Sequence, residues 1–228
     1  MDKFDKIEVL QLCDLEEGTY ASMCFDAMCS LAKQWYLVTD SENNNAPVLE
    51  RNYVLSLVFQ LGKMANRESD FGTNVFPSGE NNKHIDDNQK EINETYKDLY
   101  EKEIRYPFEI IPDLVIHTSH DKMATESNGQ RVILEAKTTK VLSKVAFFKD
   151  FFKLNVYLCS LKFNSAIYLI VNTEKKRIEE LIKLYLRNKL FRSKDKLENL
   201  LLFIQDDKDT PPYVCKLTEE LIQIVKTE

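Results

Sequence analysis

Residues 108–140 read FEIIPDLVIHTSHDKMATESNGQRVILEAKTTK, and this stretch decides how the rest of the chain is understood. It holds two apolar, largely β-branched runs, IIPDLVIH over 110–117 and RVILEAKTT over 131–139. The second is opened by Asn128-Gly129, a dipeptide suited to the tight turn of a hairpin, so the two runs predict an antiparallel pair with a long tip. Acidic residues are depleted in strands and are costly to bury unless a cation or several hydrogen bonds compensate them, yet Asp113 and Glu135 lie inside these runs. A metal ion is the simplest compensation. The other reading is an Asp capping a turn, with a Glu and a Lys on a solvated sheet face. Side chains alternate across a strand, so Glu135 and Lys137 share one face while Leu134 and Ala136 point to the other.

Pro112-Asp113, a hairpin and then Glu135-Ala136-Lys137 resemble the signature of the PD-(D/E)xK nuclease superfamily, which includes restriction enzymes, recombination and repair nucleases and helicase-associated exonucleases. The resemblance covers about 48–171. It implies an α/β fold with a central mixed β-sheet flanked by helices, a restriction-endonuclease-like core carrying an N-terminal helical extension over 1–40. It also implies a Mg²⁺ ion, replaceable by Mn²⁺, held by Asp113, one oxygen of Glu135 and the main-chain carbonyl of Ala136. Lys137 would orient the attacking water and neutralise the phosphate. In that superfamily a helix before the sheet often supplies one more acid near the metal, and Glu50 is the matching position. Read by itself, Glu50 is equally explained as a first-turn acid facing the helix dipole. Exonuclease-like members carry Gln-x-x-x-Tyr on the helix after the sheet signature. Here that spacing joins Lys153 to Tyr157, with lysine in place of glutamine, either as a phosphate contact or as a basic residue on a wet helix face.

The chain has 228 residues, 43% hydrophobic and 11% aromatic, which suffices for the core of one domain over 1–228. No apolar run nears the roughly 20 residues that span a bilayer, and MDKFDKIEVL lacks the basic and apolar segments of a secretory signal, so the expectation is a cytoplasmic protein with no membrane partner. Cysteines at 13, 24, 29, 159 and 215 show neither zinc-like pairs nor a dense disulfide pattern and read as reduced thiols. With no Gly-rich phosphate loop, no nucleotide cofactor is expected. His117 shares strand parity with Asp113 but lies too far along to join the same metal shell. His120 reads as an ordinary strand-end histidine, and His84 as a solvated loop histidine, the alternative implied by the resemblance being a metal ligand like the upstream histidine of viral cap-snatching nucleases.

A net charge of −6 argues against holding nucleic acid by bulk electrostatics. Its distribution changes the picture, because residues 1–110 carry 11 basic and 21 acidic side chains whereas 111–228 carry 20 and 16. The half with the signature is the basic half, and a local excess of cations can guide a polyanion to a site. Lys140, Lys144, Lys149 and Lys153 are the candidate nucleic-acid contacts.

Apolar spacing predicts helices over 15–38, 48–63, 141–161 and 174–190, a solvated helix over 91–103, and strands over 166–171 and 197–205. The segment 66–87 reads as a long loop, and Thr218 is placed to cap a last helix through 225. The expected activity is that of a magnesium-dependent deoxyribonuclease, an endonuclease whose double-strand cleavage would favour a homodimer. A catalytically inactive module that binds nucleic acid or a protein partner, and an RNA nuclease, remain the alternatives.

Overall fold

The computed structural model describes residue 4 and residues 6–31, 46–65, 75–79, 83–84, 109–110, 112–118, 130–188, 190–191, 196–207 and 210–227. The expected helix over 91–103, His120 and the Asn128-Gly129 turn lie outside them.

Nine strands and five α-helices are described. They run β1 (Leu10–Leu12), α1 (Tyr20–Cys29), α2 (Ala46–Ala65), β2 (Val75–Gly79), β3 (Lys83–His84), β4 (Glu109–Ile110), β5 (Leu114–Thr118) and β6 (Gln130–Lys137). There follow α3 (Lys144–Ser160), β7 (Ser165–Val171), α4 (Lys175–Arg187), a 3₁₀ turn (Leu197–Asn199), β8 (Leu200–Gln205), β9 (Tyr213–Leu217) and α5 (Glu219–Thr227). Seven strands form one mixed sheet in the order β1-β9-β8-β7-β6-β5-β2, with β6, β7 and β8 parallel and the other pairings antiparallel. The α/β class with a mixed sheet between helical layers is as the sequence predicts. Among the described residues no helix is long and apolar enough to cross a membrane.

The parallel strands are covered on both faces, which is why SAIYLIV and LLLFIQ read as near-continuous apolar runs. Strand alternation sorts the core into two layers. Leu114, Val132, Leu134 and Ala136 pack with α1 and α2, whereas Val115, Ile133 and Tyr168 pack with α3, α4 and α5. Polar caps fix where helices start: Thr19 Oγ1 accepts from Ser22 N at 3.2 Å, Ser143 Oγ from Ala146 N at 3.2 Å, and Thr218 Oγ1 from Leu221 N at 3.3 Å. At α4 the cap comes from elsewhere, because Asp206 Oδ1, just past β8, accepts from Lys175 N at 2.9 Å.

Several boundaries differ from the sequence reading. The first helix begins at Tyr20 rather than 15, because Gly18 turns the chain with φ +77° and Thr19 then caps. The 110–117 run is split at Pro112-Asp113, so Ile110 joins a small separate ladder with Lys83 and β5 starts at Leu114. The 66–87 segment contains β2, whose Pro77 pairs with Ile116. Proline is tolerated there because β2 is the outermost strand, although the same Pro77 and Gly79 argue for a loop when read alone. The sheet also extends beyond 48–171, since Leu10 pairs with Leu217 and brings together residues from near the two ends of the sequence.

Candidate active site

β5 and β6 pair with Leu114 opposite Leu134, which sets Asp113, in the bend before β5, beside the end of β6. Its Oδ2 accepts a hydrogen bond from Ala136 N at 2.7 Å. Alternation puts Glu135 and Lys137 on one face, as the sequence predicts, and α3 covers that face. Glu135 is 1% exposed. Its Oε1 accepts from the Tyr157 hydroxyl at 3.1 Å and its Oε2 lies 2.6 Å from Lys153 Nζ.

Lys137, the last residue of β6, reaches into both helical layers. Its Nζ lies 2.8 Å from Glu50 Oε1 on α2 and 3.1 Å from Asp150 Oδ2 on α3, and it donates to the Ala136 carbonyl at 3.0 Å. The reading of Glu135 and Lys137 as residues on a solvated sheet face therefore does not hold. Glu50 stands one turn before Val54 and Leu57, the buried stripe that seats α2 on the sheet, so the same stripe fixes the direction of its carboxylate.

α3 supplies the rest of the cluster. Phe147 and Phe151 lie against Tyr168 of β7 with ring centroids 5.5 and 6.4 Å apart, and this aromatic packing presses Asp150 inward. Asp150 is 3% exposed and also takes the Tyr168 hydroxyl at 3.4 Å and Lys153 Nζ at 3.7 Å. Sequence reading misses Asp150. The available signal is an acid between Phe147-Phe148 and Phe151-Phe152 on a helix expected to be covered on two sides, since such an acid must be buried with a partner. Lys153 also sits differently from expectation. It is buried against Glu135 and Asp150, not on the exposed surface with Lys140, Lys144 and Lys149, because it projects one turn after Asp150 toward the sheet. The Lys153-x-x-x-Tyr157 spacing places two donors on one carboxylate.

Among the described residues four carboxyl groups thus meet two ammonium groups, an excess of two negative charges when all are ionised, in a largely dry setting. Burial pushes the Glu135 carboxyl up to about 8, only partly opposed by Lys153 and reinforced by Asp150 and Asp113. Burial likewise raises Asp113, against the Ala136 N–H bond and Lys137, and raises Glu50 against the pull of Lys137. Desolvation alone would lower Lys137, but Asp150, Glu50 and Asp113 outweigh it and hold the ammonium above the ordinary lysine range. Lys153 is raised in the same way, with Glu135 and Asp150 overcoming desolvation.

Among the described residues, no three His, Cys, Asp or Glu side chains form a group arranged to hold a metal ion. The donor set nevertheless suits a hard divalent cation in kind: the carboxylates offer oxygen, and among the described residues they outnumber the ammonium groups. The Glu135 oxygens are engaged by Lys153 and Tyr157, and the Ala136 carbonyl by Lys137. Asp113 Oδ1 and Glu50 Oε2 make no hydrogen bond or ion pair with described residues.

The fold and this cluster define an α/β protein with a buried acid–lysine network at the C-terminal end of a central parallel strand. No family model, no curated protein and no solved structure matches the chain.

Proposed function

We propose that the chain is a magnesium-dependent nuclease that hydrolyses phosphodiester bonds of DNA as an endonuclease. One observation carries the reading: Glu50, Asp113, Glu135 and Lys137, drawn from α2, the start of β5 and β6, converge in one cluster with more negative than positive charge. Two of these residues lie 87 positions apart in sequence. Asp113 and Glu135 would hold Mg²⁺ or Mn²⁺, with Glu50 adding an oxygen at the rim. Such an ion, when bound, supplies positive charge to the scissile phosphate and acidifies a coordinated water. Lys137, kept protonated by Asp150 and Glu50, would orient that water and meet the charge that develops on the phosphate. The exposed Lys140, Lys144 and Lys149 would contact the flanking backbone.

A second reading is favoured by the engagement of both Glu135 oxygens. It is a catalytically inactive module that keeps the network as structure and binds nucleic acid or a protein partner. The two separate when purified protein with Mg²⁺ or Mn²⁺ is incubated with supercoiled plasmid, linear duplex, single strands and RNA. Metal-dependent nicking of plasmid that Asp113→Asn abolishes is the expected result. Folded protein that cuts none of the four overturns the nuclease reading, and cleavage of RNA alone transfers the activity to RNA.

A further inference from the structure

We infer that Lys153 is an internal cation that closes the metal-free cluster and competes with a divalent ion for Glu135, an inference that rests on the cluster being a metal site. Lys153 Nζ to Glu135 Oε2, at 2.6 Å, is the shortest of the cluster's ion pairs, and the lysine side chain is only 11% exposed. With the Tyr157 hydroxyl on Oε1, both Glu135 oxygens carry a donor while Lys153 stays in place. The two lysines divide the cluster between them. Lys137 pairs with Glu50 and one Asp150 oxygen, and Lys153 pairs with Glu135 and leans on the other Asp150 oxygen at 3.7 Å. That second interaction gives Lys153 somewhere to go. Its flexible four-carbon stem can carry the ammonium from Glu135 onto Asp150 Oδ1, so that Lys153 keeps a carboxylate partner when a divalent ion takes Glu135. The cluster then accepts an ion only after an ammonium has yielded, which weakens binding and ties the position of α3 to the occupancy of the site.

Removing the ammonium raises the negative excess by one charge and exposes Glu135 Oε2. Calorimetric titration of the full chain with Mn²⁺ tests this against Lys153→Gln, which keeps a polar side chain without charge, and Lys153→Arg, which keeps the charge. Lys153→Gln should bind Mn²⁺ at least about tenfold more tightly than the unaltered chain, as expected when one like charge leaves a poorly solvated site. Lys153→Arg should stay within about threefold, a displacement smaller than half a pKa unit's worth of interaction. If the unaltered chain binds Mn²⁺ and Lys153→Gln binds no tighter, the inference falls while the metal site stands. If only Lys153→Gln binds, the inference holds and the metal-dependent activity of the unaltered chain falls. If neither binds, both fall. Should Lys153→Gln not fold, ¹⁵N-resolved signals of the lysine ammonium groups in the unaltered chain carry the test. Mg²⁺ should shift the Lys153 signal most, and a Lys153 signal that Mg²⁺ leaves in place overturns the inference.

Discussion

Lys137 and Glu50 meet at 2.8 Å although 87 positions apart in sequence, and the same ammonium lies 3.1 Å from Asp150, so a single side chain joins the helical layers on the two faces of the sheet. Its two partners differ in burial: the Asp150 side chain is 4% exposed and that of Glu50 28%. A pair near the rim is screened by water and contributes little to stability, whereas breaking a buried one leaves an uncompensated charge. Glu50 is thus suited to steering Lys137, and Asp150 to holding it.

Glu50→Gln should therefore separate steering from stability. Unfolding free energy should change by less than about 1 kcal/mol, the usual worth of a partly exposed ion pair. Single-turnover cleavage should fall on the order of tenfold or more as the ammonium loses its orientation. Melting curves and cleavage rates measured on the same preparation check this, and an unchanged rate would remove Glu50 from the site.

The pH dependence of stability follows from the Glu135 carboxyl, which burial lifts to about 8. Between the ordinary carboxylate range and pH 8 the folded chain keeps a proton that the unfolded chain has released. Stability without metal must then fall as pH rises through that window. Glu50 and Asp113, raised by burial, act in the same sense. In chelator, the Tm should drop by several degrees from pH 5.5 to 8, for a loss on the order of 1–3 kcal/mol. Glu135→Gln should flatten the slope. With Mg²⁺ the trend should oppose this, because an ion that displaces a proton binds more tightly at higher pH. A Tm that rises with pH in chelator would contradict the assignment.

Much of this architecture is legible in local pattern. Alternation along RVILEAK puts Glu135 and Lys137 on one face, because the core requires Leu134 and Ala136 on the other. Spacing of Val54, Leu57 and Leu61 on α2 places Glu50 near the sheet, but only tertiary packing can show that its carboxylate reaches Lys137. Where the sequence misleads, a local signal is weaker than a long-range one. β1 is three residues long and exists through its pairing with β9, and VFPSG looks like a loop until β5 lies beside it. Lysine is seldom buried, so Lys153 reads from sequence as a solvated residue. Two buried carboxylates, one of them Asp150, reverse that preference here.

Asp150→Asn should be the most damaging single change on α3. It removes the shared counter-charge of buried Lys153 and half-buried Lys137 and should cost on the order of 3 kcal/mol, in line with breaking a buried pair. Tyr168→Phe removes only a 3.4 Å hydroxyl interaction with the same carboxylate and should cost less than about 1 kcal/mol. Denaturant unfolding of both variants checks the order, and a Tyr168→Phe loss equal to that of Asp150→Asn would show that the hydroxyl hydrogen bond, not the charge of Asp150, holds the helix.

Nucleic-acid affinity should depend on the exposed lysines and not on the buried one. Lys144→Glu with Lys149→Glu should weaken DNA binding and lower the slope of log K against log salt by about 1 to 2, roughly one for each phosphate no longer neutralised. The same reversals at Lys6 and Lys63, exposed in the acidic half, should change it little. Equal effects from the two pairs in a fluorescence-anisotropy salt titration would remove the case for a binding face along α3.

Lys137→Met distinguishes a nuclease from an inert network most sharply. Methionine preserves most of the stem and its packing while deleting the charge. Glu50 and Asp150 lose their shared partner, so stability should fall on the order of 3 kcal/mol without metal. The negative excess of the cluster rises at the same time, so Mn²⁺ should bind at least as tightly and return part of that loss, since a ligand of the folded state stabilises it. Cleavage should nonetheless fall on the order of 10²-fold or more, because the ion cannot replace a preorganised ammonium at the position where charge develops on the phosphate. An inert network predicts the first two results and has no activity to lose. A Lys137→Met protein that folds, binds Mn²⁺ and cuts at the unaltered rate would leave the acids as the metal site and exclude Lys137 from the chemistry.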